Sequence, residues 1–158
     1  MLPGNRMYRI CIVLTGLAVV AGCEAPPTSV VSATSGTSVE DTVAGRWYTD
    51  AQVTAGEPLY QMHCAVCHGV DGSATADWRK TDANGNFPPP PLNGTAHTWH
   101  HPLTVLTETI ARGGAPYGGL MPGFAEVIEP DGRVAIVAYI QSWWSDDIYG
   151  RWDEINRR

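Results

Sequence analysis

The pentapeptide Cys64-Ala65-Val66-Cys67-His68 constrains this chain more than any other stretch. Two thiols with two residues between them, followed at once by a histidine, form the attachment pattern of a c-type haem. On a helical turn the two-residue spacer sets the sulfurs at the separation of the porphyrin's two vinyl groups, so each thiol can add across one of them. His68 then lies where an imidazole nitrogen can supply the proximal iron ligand. Three other readings compete. A thioredoxin-like redox pair follows a strand in a βαβ unit, whereas residues 57–63 read as the first turns of a helix, with Pro58 at an early helical position. A zinc site needs about four protein ligands, and the other cysteines, Cys11 and Cys23, lie in a different kind of segment. A disulfide across two residues would be strained.

The chain has 158 residues, enough for one domain with extensions. Charged residues are sparse, and glycine and proline are plentiful, which favours short helices joined by long loops. The formal charge is −6; once Arg6 and Arg9 leave with the leader, eight basic residues face sixteen acidic ones, a net −8. Such a chain is repelled by nucleic-acid phosphates and suits a protein partner with a basic patch.

Arg6 and Arg9 precede an apolar run over residues 10–21, too short for the roughly 20 apolar residues of a membrane span. The run ends in Val20-Ala21-Gly22-Cys23, which resembles a bacterial lipobox. Residues 1–22 are therefore expected to be a lipoprotein signal peptide, with Cys23 lipidated and N-terminal after cleavage, and Cys11 lost with the leader. An ordinary signal peptide or an uncleaved anchor is the alternative. Residues 23–45, rich in Ala, Pro, Thr, Ser, Val and Gly, are expected to be a flexible tether. Roughly 20 such residues span about 25 Å. Acyl chains would hold the domain on the extracytoplasmic, periplasmic side of the bacterial cell envelope. Glu24 after the cysteine leaves inner and outer membrane equally open.

The remaining residues, 46–158, form the expected haem domain. A first helix is expected over residues 54–67. Gly56 stands eight residues before the first haem cysteine and Tyr60 four before it. With the CxxCH, this resembles the class I c-type cytochromes, small monohaem electron carriers, in which a glycine and an aromatic at those places meet the C-terminal helix. Glycine permits the close crossing and the ring fills the space beside it. The resemblance implies an all-α fold of three to four helices wrapped around one covalent haem c.

Further residues fall in the family's order. Residues 73–87 read as a surface loop, with Trp78 as a lid over the haem or part of the core edge. In the run Pro88-Pro89-Pro90-Pro91-Leu92, the resemblance implies that Pro90 offers its carbonyl to the Nδ1–H of His68 and that Leu92 packs on the haem. Pro91 is the neighbouring choice, and a rigid polyproline connector the plainer one. Trp99 is implied as an indole donor to a haem propionate. His97, His100 and His101 could bind a second metal or simply bond to loop backbone or propionates.

A second helix is expected over residues 102–112, with Leu103, Leu106 and Ile110 on its buried face and Gly113-Gly114 ending it. Arg112 is a candidate propionate partner. The glycine-rich loop around Met121-Pro122 resembles the family's distal-ligand loop, implying a thioether ligand from Met121. Met1 and Met7 lie in the leader and Met62 beside the CxxCH. A histidine from the 97–101 stretch is the rival ligand, and a core methionine the structural alternative. The last helix is expected from an N-cap at Asp131 to about Trp144, with Ile136 and Tyr139 meeting Gly56 and Tyr60. Trp143 and Trp144 close it, at least one of them buried, and residues 146–158 are expected to be a polar tail. The implied function is a membrane-tethered one-electron carrier, not an enzyme, shuttling between extracytoplasmic redox proteins with His68 and Met121 on the iron. A haem enzyme such as a peroxidase or small-molecule reductase, or a metal-binding or sensing module using residues 97–101, is the alternative.

Overall fold

The computed structural model describes residues 42–117 and 119–158. The expected signal peptide, Cys23 and nearly all of the expected tether lie outside the described residues. Among the described residues the regular structure is five α-helices, α1 (Asp50–His63), α2 (Ala65–His68), α3 (Leu103–Arg112), α4 (Pro130–Ser142) and α5 (Asp146–Asn156), with two short 3-10 helices at Thr98–His100 and Ala115–Tyr117. The only β pairing among the described residues is one isolated antiparallel bridge, Thr42 to Thr49. The described residues are thus all-α, as expected, with five α-helices where three to four were expected. Among the described residues no helix is long and apolar enough to cross a membrane.

α1 begins four residues before the expected start because a capping box fixes it. Thr49 Oγ1 accepts from the Gln52 amide at 3.1 Å, and Gln52 Oε1 accepts from the Thr49 amide at 3.0 Å. The T-x-x-Q spacing is visible in the sequence. This start places Pro58 inside the helix rather than near its beginning. Proline offers no N–H to the carbonyl four residues earlier, but both Thr54 and Pro58 are exposed, so water reaches the unpaired carbonyl. The helix breaks at Cys64 and resumes as α2, whose last residue is His68.

α1 crosses α4 at Gly56. A Cβ placed on Gly56 would lie 2.0 Å from the Ala135 carbonyl oxygen and 3.0 Å from Tyr139 Cβ. The partner of the glycine is therefore the Ala135 backbone with Tyr139, not Ile136, which is fully buried one position on. Tyr60 packs edge-on to Trp143 at 5.1 Å between ring centroids and lies 5.5 Å from Tyr139. Trp144 is the buried tryptophan of the closing pair and Trp143 is half-buried. α4 starts with Glu129 as N-cap and Pro130 at its first position, so proline preorganisation, rather than Asp131, sets the boundary.

The expected polar tail is instead helix α5. Ser145 caps it, Asp146 and Asp147 occupy its first turn, and Asp147–Arg151 and Asp153–Arg157 pair along its outer face. Its inner face buries Tyr149 and Trp152. The Trp152 indole donates to the His101 carbonyl at 2.9 Å, and Asn156 Oδ1 accepts from the Leu103 amide at 3.0 Å, capping α3 from outside. α3 accordingly starts at Leu103, with Pro102 as its N-cap residue.

The segment before α1 completes this clasp. Val43 donates to the Tyr48 carbonyl at 2.8 Å, and the Trp47 amide donates to Tyr149 Oη at 2.8 Å. The Arg46 guanidinium lies 4.1 Å from the Tyr149 ring centroid and pairs with Asp146 at 2.6 Å. Packing thus reaches residues 42–45, which were expected to belong to the tether.

Candidate functional site

His68 is buried at the end of α2. Its Nδ1 lies 2.9 Å from the Pro90 carbonyl oxygen. A carbonyl only accepts, so Nδ1 carries the proton and Nε2 keeps its lone pair free for a metal. Burial holds the His68 pKa below the ordinary histidine value, with the Pro90 hydrogen bond opposing. The imidazole is therefore neutral at pH 7, the form that ligates. The His68 carbonyl accepts from the Ala74 amide at 2.9 Å, and Tyr60 Oη donates to the Gly69 carbonyl at 2.7 Å, pinning the turn after the histidine to α1.

The proline run forms a strap whose position is set by carbonyls, since prolines have no N–H to donate. Three successive carbonyls go to three different elements. Pro90 O serves His68, Pro91 O accepts from Thr98 Oγ1 at 3.2 Å, and Leu92 O accepts from the Trp144 indole at 2.8 Å. The Leu92 amide donates to Gly72 O at 2.7 Å. Gly72 has φ +67°, and a Cβ there would lie 2.5 Å from the Trp143 ring. Asp71-Gly72 is a turn signal in the sequence, which assigns no role to Thr98 or to the Trp144 indole. A glycine after aspartate signals a turn, but nothing local signals which distant amide will meet its carbonyl.

Met121 sits in a loop folded back on the end of α3. The Gly114 amide donates to Met121 O at 2.8 Å, while the Phe124 and Ala125 amides donate to Ile110 O and Ala111 O at 2.9 and 3.1 Å. These bonds satisfy carbonyls that the helix end leaves without partners. Gly113, at φ +76°, makes the approach possible, because a Cβ there would lie 2.4 Å from Met121 O. The Met121 backbone is thus tied on both sides.

Cys64 is buried and Cys67 exposed, and both are free thiols. Burial, reinforced by Cys67, pushes the Cys64 thiol up to about 11. Leu92, Trp99, Leu103, Leu106, Met121 and Phe124 pack against the core yet stay only partly buried. A neutral imidazole with its Nε2 lone pair free, a thioether, a thiol pair and several half-buried apolar side chains are the donor set and apolar surface that a haem iron and macrocycle take. The residues present fit a haem.

The remaining candidates are arranged as follows. The Trp99 indole has no hydrogen-bond partner among the described residues, and its ring centroid lies 3.8 Å from that of His100, edge to face. Arg112 is exposed and pairs with Glu108 one turn back. The Trp78 ring stacks on His97 at 5.0 Å, and His97 meets His101 edge-on at 5.7 Å. Burial lowers the His97 pKa, helped by His101, His100 and Arg79. Among the described residues no group of three or more His, Cys, Asp or Glu is placed to hold a metal ion.

Comparison with known proteins agrees with this chemistry. Residues 51–140 match the family model described as cytochrome c oxidase, cbb3-type, subunit III. The cbb3-type cytochrome c oxidase subunit FixP of Sinorhizobium medicae (strain WSM419) is 28% identical over 111 residues, covering 66% of this chain and 35% of that protein. The chain thus spans about a third of that relative's length. No solved structure matches significantly. Because the matched model covers more than half of the sequence, the chain belongs to this family of class I c-type cytochromes, haem-based electron carriers.

Proposed function

We propose that this chain is a membrane-tethered one-electron carrier on the extracytoplasmic side of a bacterial envelope. One haem c would be held covalently through Cys64 and Cys67, with His68 and Met121 as iron ligands and Cys23 as the lipidated anchor. The observation that carries the reading is the bond from His68 Nδ1 to the Pro90 carbonyl, which fixes the tautomer a ligating histidine needs. The bound haem supplies the one-electron change, its iron alternating between ferrous and ferric.

The chain's own groups do the rest. His68 is held neutral and aimed by the strap. Met121 offers a thioether that favours the reduced metal and keeps the potential above that of a bis-imidazole site. The loop bonds at Gly114 and Phe124 hold the backbone that carries the thioether, which favours little rearrangement on transfer. Leu92, Leu103 and Leu106 exclude water from the apolar rim, and the Trp99 indole is available to a propionate. The relative's name places that protein in an oxidase; for this chain the corresponding role is electron delivery to or from a membrane redox complex.

The test is spectroscopic. The purified chain should give a pyridine haemochrome of haem c, survive acid–acetone extraction with its haem attached, and show a low-spin reduced spectrum. Met121→Ala should shift both spectrum and potential. An unchanged spectrum and potential in Met121→Ala would remove Met121 as ligand. A high-spin wild-type spectrum would favour an enzyme with an open iron position. Globomycin treatment should leave the precursor uncleaved if Cys23 is lipidated.

A further inference from the structure

We propose that Thr98 is a positioning residue for the iron-binding imidazole: its hydroxyl locks the peptide unit beside the Pro90 carbonyl and so sets how that carbonyl meets His68 Nδ1. The inference rests on the haem reading above and adds to it a residue outside the ligand set.

Proline geometry makes the link. The peptide unit between Pro91 and Leu92 is planar and is held at both of its polar atoms. Its carbonyl oxygen accepts from Thr98 Oγ1 at 3.2 Å, and its N–H donates to Gly72 O at 2.7 Å. The preceding unit carries Pro90 O, which lies 2.9 Å from His68 Nδ1. Pro91 alone joins the two units, and its ring fixes φ at about −65°. One torsion, ψ of Pro91, is left between the clamped unit and the carbonyl that meets the imidazole. The unit carrying Pro90 O ends on the nitrogen of Pro91, which has no N–H to be tied elsewhere. Apart from the imidazole itself, the clamp next door is what aims that carbonyl.

Thr98 is a fixed post for this clamp. It is buried, at 8% exposure, and opens the 3-10 turn Thr98–His100. The His101 amide donates to Thr98 O at 3.3 Å, and His101 O accepts from the Trp152 indole at 2.9 Å, so the turn is tied to α5. A β-branched side chain is stiff at χ1, which keeps the hydroxyl where the backbone puts it. The other half of the clamp, the Gly72 carbonyl, is backbone. Thr98 Oγ1 is therefore the side-chain atom through which the sequence can alter the aim of the Pro90 carbonyl. A histidine that donates a firm Nδ1–H bond is the more basic ligand and favours the oxidised metal, and loosening the bond favours the reduced one.

The experiment uses the haem-loaded full chain and two readouts. One is the midpoint potential from a redox titration; the other is hydrogen exchange of the His68 Nδ1–H by NMR in the reduced state. Thr98→Val keeps the side-chain shape and removes the hydroxyl. It should raise the potential and speed that exchange roughly fivefold or more, with the reduced spectrum still low-spin. Thr98→Ser keeps the hydroxyl and should stay near wild type in both. Thr109→Val is the control: its hydroxyl bonds to Val105 O at 2.8 Å within α3, and neither readout should move. Unchanged potential and exchange in Thr98→Val overturn the proposal. So do equal shifts in Thr98→Val and Thr109→Val, which mark general loosening, or a shift in Thr98→Ser as large as that in Thr98→Val. Should Thr98→Val fail to fold, Thr98→Ala against Thr98→Ser decides: a shift in alanine alone supports the proposal, and two alike overturn it. A wild-type chain without a low-spin haem spectrum would defeat the function proposed above and this proposal with it. A low-spin wild type with an unmoved Thr98→Val defeats this proposal alone.

Discussion

Gly56→Ala is a substitution whose sign depends entirely on where the helix meets its neighbour. In an exposed helix interior, replacing glycine by alanine gains about 1 kcal/mol of helix propensity. At Gly56 the added methyl would lie 2.0 Å from the Ala135 carbonyl oxygen, over 1 Å inside ordinary contact, and the obstacle is backbone that no rotamer change can move. The helices α1 and α4 must separate, loosening Tyr60 against Tyr139 and Trp143. Overpacking of this kind costs about 1–3 kcal/mol, and the upper end applies because the clash is severe. Net of propensity, a loss of about 1–2 kcal/mol is expected, lowering Tm by roughly 3–10 °C for a domain of this size. Gly150→Ala in α5 is the matched control, since a Cβ there meets nothing within 4 Å. It should stabilise by about 0.5–1 kcal/mol. Urea unfolding followed by far-ultraviolet circular dichroism gives both values. A neutral or stabilising Gly56→Ala, or two substitutions of the same sign, would refute the crossing as described.

Three further outcomes follow from the geometry. Trp152→Ala should cost about 3–5 kcal/mol, and Trp152→Phe about 1 kcal/mol through the orphaned His101 carbonyl, both read from denaturant midpoints. His97 is held below the ordinary histidine value chiefly by burial, so its neutral form is favoured in the fold. The unfolded chain therefore binds the proton first. The contribution is present above about pH 6.5 and lost as pH falls, and urea midpoints at pH about 7.5 and 5 should show a smaller drop in His97→Gln than in wild type. Met121→His should keep a low-spin spectrum while lowering the potential, as measured by a redox titration.

The parts of this structure legible in the sequence are those set by short, fixed spacings. The CxxCH, the glycine and aromatic ahead of it, the Pro-x-Leu that leads to the carbonyl beside His68, and the paired glycines ending α3 all act within a turn or a strap. What the sequence hid has two causes. α5 reads as a polar tail because its apolar face, Ile148, Tyr149, Trp152 and Ile155, spans barely two turns among seven charged residues from Asp146 to Arg158 that are not needed for packing. Its helicity comes from burial against the segment 42–49, which only the fold supplies. The second cause is backbone. The contact at Gly56 falls on the Ala135 carbonyl rather than on the side chain of Ile136, and the partners of Gly72 O and Leu92 O are distant groups that no residue-type pattern encodes.

The strap through residues 90–92 has a mechanical consequence. Its carbonyls grip an imidazole at one end and the indole of the buried Trp144 at the other. Trp144 therefore acts as a handle on the His68 imidazole, the iron ligand of the proposed function. Trimming it to phenylalanine would release Leu92 O and let the Pro90 carbonyl drift, weakening the electron push that His68 receives. In the proposed haem site such a handle would let the midpoint potential be adjusted through Trp144 with both iron ligands unchanged.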